Sequence, residues 1–144
     1  MITMNNEQIL TSMLHTVQMG QSGIRCIMEN AIHPGLKSEL KDQLKEYDAL
    51  EKQTLATAKV HGLKLKNLSS AVQTMSSLIA KAQLIGGERD SKIAGMLIQG
   101  NTRGMIQGMK NLRKAAKASA DVKELAQRIL NRENINIQKA QPFL

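Results

Sequence analysis

The sequence predicts an all-α protein, a bundle of four long helices in one domain over residues 1–144. Apolar residues recur at three- and four-residue spacing over long stretches, which is the pattern of amphipathic helices. The chain has only two prolines, and its few β-branched runs favour helix over strand. Capping-type residues and glycines separate the periodic stretches, so the helices have defined ends.

The interior of this bundle has to be aliphatic. Tyr47 and Phe143 are the two aromatic residues, beside nine methionines, so Leu, Ile, Val, Met and Ala fill the core. Cys26 is the single cysteine and excludes an intrachain disulfide. The first residues lack a signal-peptide pattern, and no apolar stretch is long enough to span a bilayer. We therefore expect a cytoplasmic protein without membrane insertion.

The first two helices have clear boundaries in the sequence. Asn5 and Gln8 have the spacing of a capping box, and the apolar line that follows them extends to about Ala31. Pro34 suits the first turn of a second helix, which is predicted to run to about His61. Lysines alternate with Glu and Asp on the outer face of this second helix, which is typical of a solvated surface.

A long connection precedes the last two helices. It covers about residues 63–90 and contains a short amphipathic helix, with Asn67 as its predicted cap and Gly86-Gly87 as its end. A third main helix is predicted over about 90–116. A fourth covers about 119–139, with a serine as its N-cap.

The connection lengths predict the topology. Short connections make antiparallel hairpins of the first and second helices and of the third and fourth. The connection at 63–90 is long enough to run the length of the bundle, which makes the second and third helices parallel. This is the single-crossover topology of ferritin-like four-helix bundles. The alternative is a five-helix up-and-down bundle in which residues 67–85 form a full member.

The glycines of "GMLIQGNTRGMIQGMKN" (95–111) do not form a nucleotide site. Asn101 stands where a phosphate-binding loop has its lysine, and the preceding residues continue a helix rather than a strand. Gly100, Gly104 and Gly108 instead form one stripe along a helix. Each costs about 1 kcal/mol relative to alanine, and close packing within the bundle or between subunits would offset that cost.

The residues of a dimetal centre are only partly present. Ferritin-like bundles take a Glu from two helices and Glu-x-x-His from the other two. The second helix here offers Glu51-x-x-Thr54 and the fourth offers Glu133-x-x-Asn136, so the spacing remains without the histidine. The first and third helices offer no inward Glu. We expect no cofactor, with Fe or Mn bound by Glu51 and Glu133 as the alternative.

In place of a metal centre we expect a buried polar layer that fixes the register of the helices. Arg25 and Arg103 are the expected partners of its carboxylates. No Ser-His-Asp set and no His-x3-His spacing exists, so we assign no catalytic residue. The predicted members of the layer, beside Glu51 and Glu133, are Gln18, Gln21, Glu46, Tyr47, Gln99, Asn101 and Asn136.

The net charge of +8 is unevenly distributed. Residues 93–118 contain five cations and no acid, a pattern that can attract nucleic acid or other anions. No aromatic residues interleave with them to stack bases, and cations also complement a helix C-terminus. Nucleic-acid binding is therefore an alternative that we do not favour. The five cations, named the basic patch, are Arg103, Lys110, Arg113, Lys114 and Lys117.

Three segments carry a resemblance to a known family. "LKDQLKEYDAL" (40–50), "IAGMLIQGNTRGMI" (93–106) and "ELAQRILNRENINIQK" (124–139) resemble an uncharacterised family of small helical proteins from Gram-positive anaerobic bacteria, grouped with the ferritin-like superfamily. The resemblance implies a ferritin-like four-helix fold and no particular activity. The missing Glu-x-x-His pairs argue against oxidase, ferroxidase and catalase chemistry.

Together these observations predict a non-enzymatic binding or structural protein with a degenerate dimetal site, which forms a homo-oligomer. The alternatives are a divergent Fe- or Mn-binding protein and a basic-surface binder of anions or nucleic acid. Affinity for DNA that falls steeply with salt would identify the last of these.

Overall fold

The computed structural model describes residues 3–144, and the predicted all-α class is confirmed. Within the described residues there are five α-helices and no strand. Short 3-10 turns follow the first and last helices, at Met28–Asn30 and Gln141–Phe143. The helices are α1 Asn6–Ile27, α2 Pro34–Val60, α3 Ser70–Gln83, α4 Arg89–Arg113 and α5 Ala120–Ala140.

The start of α1 is capped as predicted, but its end is earlier. The Asn5 side chain accepts a hydrogen bond from the Gln8 backbone N–H at 2.8 Å, and the Gln8 side chain accepts one from the Asn5 N–H at 2.9 Å. The helix ends at Ile27 rather than near Ala31 because a 3-10 turn tightens the last residues. Ala31 is already extended, and so is His33, whose conformation is restricted because it directly precedes Pro34.

Two predicted caps have other partners. The helix α3 begins at Ser70, after Ser69, and the Asn67 side chain instead accepts a hydrogen bond from Gln18 of α1 at 2.9 Å. Ser119 is the N-cap residue of α5 by position, but its hydroxyl accepts a hydrogen bond from Asn6 at 2.8 Å. In both cases a tertiary hydrogen bond to α1 replaces the local one.

Contacts at one end of the molecule join α4 to the turn between α1 and α2. The backbone N–H groups of Ile32 and His33 donate to the Asp90 carboxylate at 2.8 and 2.9 Å. These bonds lower the pKa of Asp90, although burial alone would raise it. The first turn of α4 therefore lies beside the first turn of α2.

Contacts at the opposite end join the remaining termini. The Met4 N–H donates to the Lys114 carbonyl at 2.8 Å, which places the end of α4 beside the start of α1. His61, after α2, lies 2.9 Å from the Asp121 carboxylate at the start of α5. Because α2 and α4 both start at one end and finish at the other, they are parallel, and residues 61–88 return along the bundle between them.

The four long helices enclose the core, whereas α3 lies outside it. Buried apolar side chains come from α1, α2, α4 and α5, while α3 has no buried residue. The helix α3 packs mainly against α1, and Leu84, directly after it, is buried. In residues 3–144 no helix combines the length and apolarity needed to cross a bilayer.

Candidate functional site

Three of the predicted polar-layer residues meet inside the bundle. The Tyr47 hydroxyl of α2 donates to Asn101 Oδ1 of α4 at 2.7 Å, and Asn136 Nδ2 of α5 donates to the same oxygen at 3.2 Å. Asn101 Nδ2 donates to the Leu97 carbonyl at 2.8 Å. All three side chains are buried. They form, with Gln43 and Glu133, what we name the interior polar cluster.

Gln43 belongs to this cluster and was not predicted. Its Nε2 donates to Glu39 Oε1 at 3.0 Å and to the Asn136 carbonyl at 3.4 Å. The buried positions of α2 are 36, 40, 43, 47, 50, 54 and 58, and this spacing of three or four residues includes Gln43 and leaves out Leu44. That spacing was the signal in the sequence, and the apolar character of Leu44 concealed it.

Glu133 is the member of the cluster whose burial is least offset by hydrogen bonds. Its side chain is 1% exposed, and neither carboxyl oxygen has a hydrogen-bond partner within the described chain. Burial raises the pKa of Glu133 from 4.5 to about 8, so the carboxyl is mostly protonated and neutral at pH 7. Burial also raises the pKa of Tyr47, with a smaller contribution from the charge that Glu133 carries when ionised.

Two glycines make room for the cluster. A Cβ on Gly104 of α4 would overlap the Glu133 carboxyl, and a Cβ on Gly20 of α1 would lie 2.6 Å from Tyr47 Cζ. Any side chain at these positions would displace a cluster member. Close approach to polar side chains therefore explains both glycines.

The predicted glycine stripe is only partly a packing surface. Gly104 faces Glu133, and a Cβ on Gly108 would lie 3.6 Å from Leu130 Cδ1. A Cβ on Gly100 would meet nothing within 4 Å, and this residue is exposed. Two of the three glycines therefore pack against α5 of the same chain.

Glu51 lies in a separate polar group between α1 and α2. Its oxygens accept hydrogen bonds from Gln18 Nε2 at 3.1 Å and Gln21 Nε2 at 3.4 Å. Gln21 also donates to Asp48 at 2.8 Å, and Arg25 pairs with Asp48 at 3.4 Å. Gln18 and Gln21 thus hold α1 to α2 and make no hydrogen bond to the interior polar cluster.

Two predicted layer residues lie elsewhere. Gln99 is exposed because it is two positions from Asn101, which places it on the opposite side of the helix. Glu46 is only partly buried and pairs with Arg132 at 3.6 Å.

The two arginines predicted to neutralise buried carboxylates do not do so. Arg25 pairs with Asp48 and Arg103 is exposed, so this prediction was wrong.

The cluster reaches the surface through a polar cavity between α2 and α5. This cavity has a volume of about 260 Å³. Gln43 and Asn136 line it, with charged side chains of both signs, including Glu46 and Arg132, around them. Gln43 Oε1 and Asn136 Oδ1 have no hydrogen-bond partner within the described chain. Both carboxyl oxygens of Glu133 are likewise buried without a hydrogen-bond partner in the described chain, although Glu133 does not line this cavity.

The metal candidates Glu51 and Glu133 have different surroundings. Glu51 accepts hydrogen bonds from α1 amides, and Glu133 lies against Gly104 of α4. Across residues 3–144 no three side chains of His, Cys, Asp or Glu gather closely enough to hold a metal ion. The prediction of Fe or Mn binding therefore needs a direct measurement.

The basic patch follows the second half of α4 and the turn after it. Arg103, Lys110, Arg113 and Lys117 are exposed, and Lys114 is partly buried. Within the described residues none of the five forms an ion pair. Their charge is therefore available to an anionic partner.

No protein-family model, curated protein or solved structure matches this chain. The function is therefore inferred from the geometry of the chain itself.

Proposed function

We propose that this chain is a non-enzymatic, ferritin-like bundle protein that acts in binding or assembly, with the interior polar cluster in place of a dimetal centre. The parallel α2 and α4, joined by a long connection, support the ferritin-like topology. Tyr47 and Asn101 lie at the middle of α2 and α4. The cluster thus occupies the part of the bundle where facing helices build cofactor sites.

The observation that carries this proposal is the environment of Glu133. Among the cluster residues it is the one carboxyl, and its pKa of about 8 means that it holds a proton at neutral pH. The other members are amides and a phenol, which are neutral. A neutral layer in which Tyr47, Asn101 and Asn136 are joined by hydrogen bonds can specify helix register, and it has no need of a metal ion to balance charge.

Metal content tests the proposal directly. The full chain is purified from cells grown with added iron and manganese, and its metals are measured by elemental analysis. We expect far less than one ion per chain in the wild type and in Glu133→Gln. The matched control is Glu124→Gln, a change at an exposed carboxyl of α5. One or two ions per chain that disappear in Glu133→Gln but not in the control would contradict the proposal.

One observation favours the second candidate, a divergent Fe- or Mn-binding protein. The oxygens of Glu133, Asn136 and Gln43 that have no hydrogen-bond partner among the described residues are hard donors of the kind that such cations accept. Glu51 would have to leave Gln18 and Gln21 to join them. This candidate predicts that Glu51→Gln and Glu133→Gln each remove the bound metal. Retention of metal in Glu51→Gln would rule out a shared site.

Homo-oligomer formation stays a prediction. Sedimentation equilibrium of the full chain would give the oligomer size. A mass that stays at the monomer value at high protein concentration would contradict this prediction.

A further inference from the structure

The short helix α3 has its apolar side outward. The residues on the side toward α1 are small or polar and partly buried, namely Gln73, Ser76, Ser77 and Ala80. The Cys26 thiol donates to the Ser77 carbonyl at 3.3 Å, and the Ser76 hydroxyl lies 3.5 Å from Met19 Sδ. The opposite side exposes Val72 by 44%, Met75 and Leu78 by 61% each, and Ile79 by 53%.

This orientation is unusual for a helix on the surface of a protein. Surface helices normally bury their apolar stripe against the core, and each of the other four α-helices does so. A contiguous exposed apolar face with polar residues behind it marks a surface that contacts a partner.

Lysines accompany the apolar residues. In the segment before α3, Leu63 and Leu65 pack against the core, while Lys64 and Lys66 are exposed. Lys81, on α3 itself, is exposed as well. No acidic residue lies between Glu51 and Glu88 in the sequence, so every charged side chain in this segment is a cation. We name these residues the α3 face: Lys64, Lys66, Val72, Met75, Leu78, Ile79 and Lys81.

Area and charge argue against a second copy of the chain as the partner. A helix of 14 residues is about 21 Å long and about 10 Å wide. Its face therefore offers roughly a few hundred Å², well below the ~800 Å² per partner of a stable dimer. Two copies would also bring together cationic segments of chains whose net charge is +8.

We infer that the α3 face binds the surface of an anionic lipid bilayer, with α3 lying in the plane of the headgroups. An in-plane amphipathic helix needs only one apolar face and nearby cations, and lysines close to an anionic leaflet add attraction. The polar side of α3 stays against α1, so the bundle remains folded above the membrane. No helix has to cross the bilayer.

Vesicle sedimentation of the full chain tests this inference. Vesicles of phosphatidylcholine with about 40% phosphatidylglycerol are compared with pure phosphatidylcholine vesicles at low and high salt. We expect binding to the anionic vesicles at low salt, and at least tenfold weaker binding to the pure phosphatidylcholine vesicles. The double variant Met75→Ser/Leu78→Ser should weaken binding more than tenfold. Lys64→Gln/Lys66→Gln should weaken it about fivefold for each lysine.

Matched controls separate the α3 face from general charge and hydrophobicity. Leu55→Ser/Val60→Ser changes two exposed apolar residues of α2, and Lys37→Gln/Lys41→Gln removes two exposed lysines of α2. Both controls should bind as the wild type does. Absence of wild-type binding would overturn the inference, as would equal loss in variants and controls. Self-association that Met75→Ser/Leu78→Ser abolishes, without vesicle binding, would assign the face to a second copy.

Discussion

Among single residues, Glu133 is nearly completely buried, and neither of its carboxyl oxygens has a hydrogen-bond partner in residues 3–144. An ionised carboxylate in such a place would lack both water and a counterion, which is strongly unfavourable. The proton that burial retains on it is therefore part of the folded structure. Gly104 allows this arrangement, since any larger residue would occupy the space of the carboxyl.

The stability of the protein should depend on pH through Glu133. Its pKa is raised from 4.5 to about 8 on folding, so the folded state holds a proton that the unfolded state loses above pH 4.5. Stability should thus fall by up to about 1.4 kcal/mol per pH unit between these two values. Glu133→Gln removes this term, so its stability relative to wild type should rise with pH. Urea unfolding of both proteins from pH 5 to pH 8 measures the difference. A difference that does not change with pH would contradict this prediction.

Gly104 and Gly100 form a matched pair for a packing test. Gly104→Ala places a methyl group where the Glu133 carboxyl lies, and we expect a loss of about 1–3 kcal/mol. Gly100→Ala meets open space on an exposed helix surface and should gain up to ~1 kcal/mol. Thermal unfolding measures both. If Glu133 causes the clash, Gly104→Ala should cost less in a Glu133→Ala background.

Tyr47 contributes the shortest hydrogen bond of the cluster. Tyr47→Phe removes the donor to Asn101 Oδ1 at 2.7 Å and should cost about 1–2 kcal/mol. Asn136 still donates to that oxygen, so the loss of stability should be smaller than for a buried acceptor left without any hydrogen bond. Urea denaturation gives the value, and an unchanged midpoint and slope would show that the bond contributes nothing.

The sequence predicts which residues point into the bundle only where the helical spacing of apolar residues defines the buried face of a helix. Tyr47, Asn101 and Asn136 follow apolar neighbours at three- and four-residue spacing, so their burial was correctly predicted. Their mutual bonds were not, because these depend on side-chain rotamers and on how far each helix is displaced along its axis. Gln99 and Glu46 were placed wrongly because each lies only one or two positions from a truly inward residue.

At the scale of elements, α3 differs from its neighbours in what stabilises it. It has no buried residue, and a helix of 14 residues is marginal in isolation. Gln18 donates a hydrogen bond to the Asn67 side chain and accepts one from the Leu68 N–H, and these two bonds hold the segment that precedes α3. The sequence predicted a short amphipathic helix in this region, and periodicity identified its apolar face. Periodicity does not say what that face contacts, so its outward orientation could not be predicted.

Hydrogen exchange should separate α3 from the other helices. We expect its amides to exchange through local opening, with protection far below that of α1, because few buried contacts oppose the opening. Mass spectrometry of deuterated peptides from residues 70–83 and from α1 gives the comparison. Equal protection of both helices would mean that α3 opens only when the whole bundle unfolds.

At the scale of the whole molecule, contacts between helix ends determine the direction of each helix. Asp90 joins α4 to the α1–α2 turn at one end, and His61 with Asp121 joins α2 to α5 at the other. Connection lengths alone predicted parallel α2 and α4 and left a five-helix arrangement open. The joining residues were not predicted because they lie far apart in the sequence and outside any periodic pattern.

Asp90 should contribute to stability in a pH-dependent way. Its folded pKa is lowered by the N–H groups of Ile32 and His33, so its contribution is present above its unfolded pKa and is lost as the pH falls through the folded pKa. Asp90→Ala should cost about 1 kcal/mol at pH 7, a value reduced by its solvent exposure. Asp42→Ala, at an exposed site of α2, is the control. Urea unfolding at pH 7 and below pH 3 tests both. A cost that persists at the lower pH would contradict this account.

The connection at residues 61–88 also acts as a tether between two hairpins, α1–α2 and α4–α5. While the chain is unfolded, a flexible connection of that length keeps its ends about 30 Å apart on average, which corresponds to an effective concentration in the millimolar range. Each hairpin thus meets the other as though it were a partner at millimolar concentration. A single proteolytic cut in this connection would turn the folded chain into a two-chain complex with the same core, whose survival would then depend on dilution.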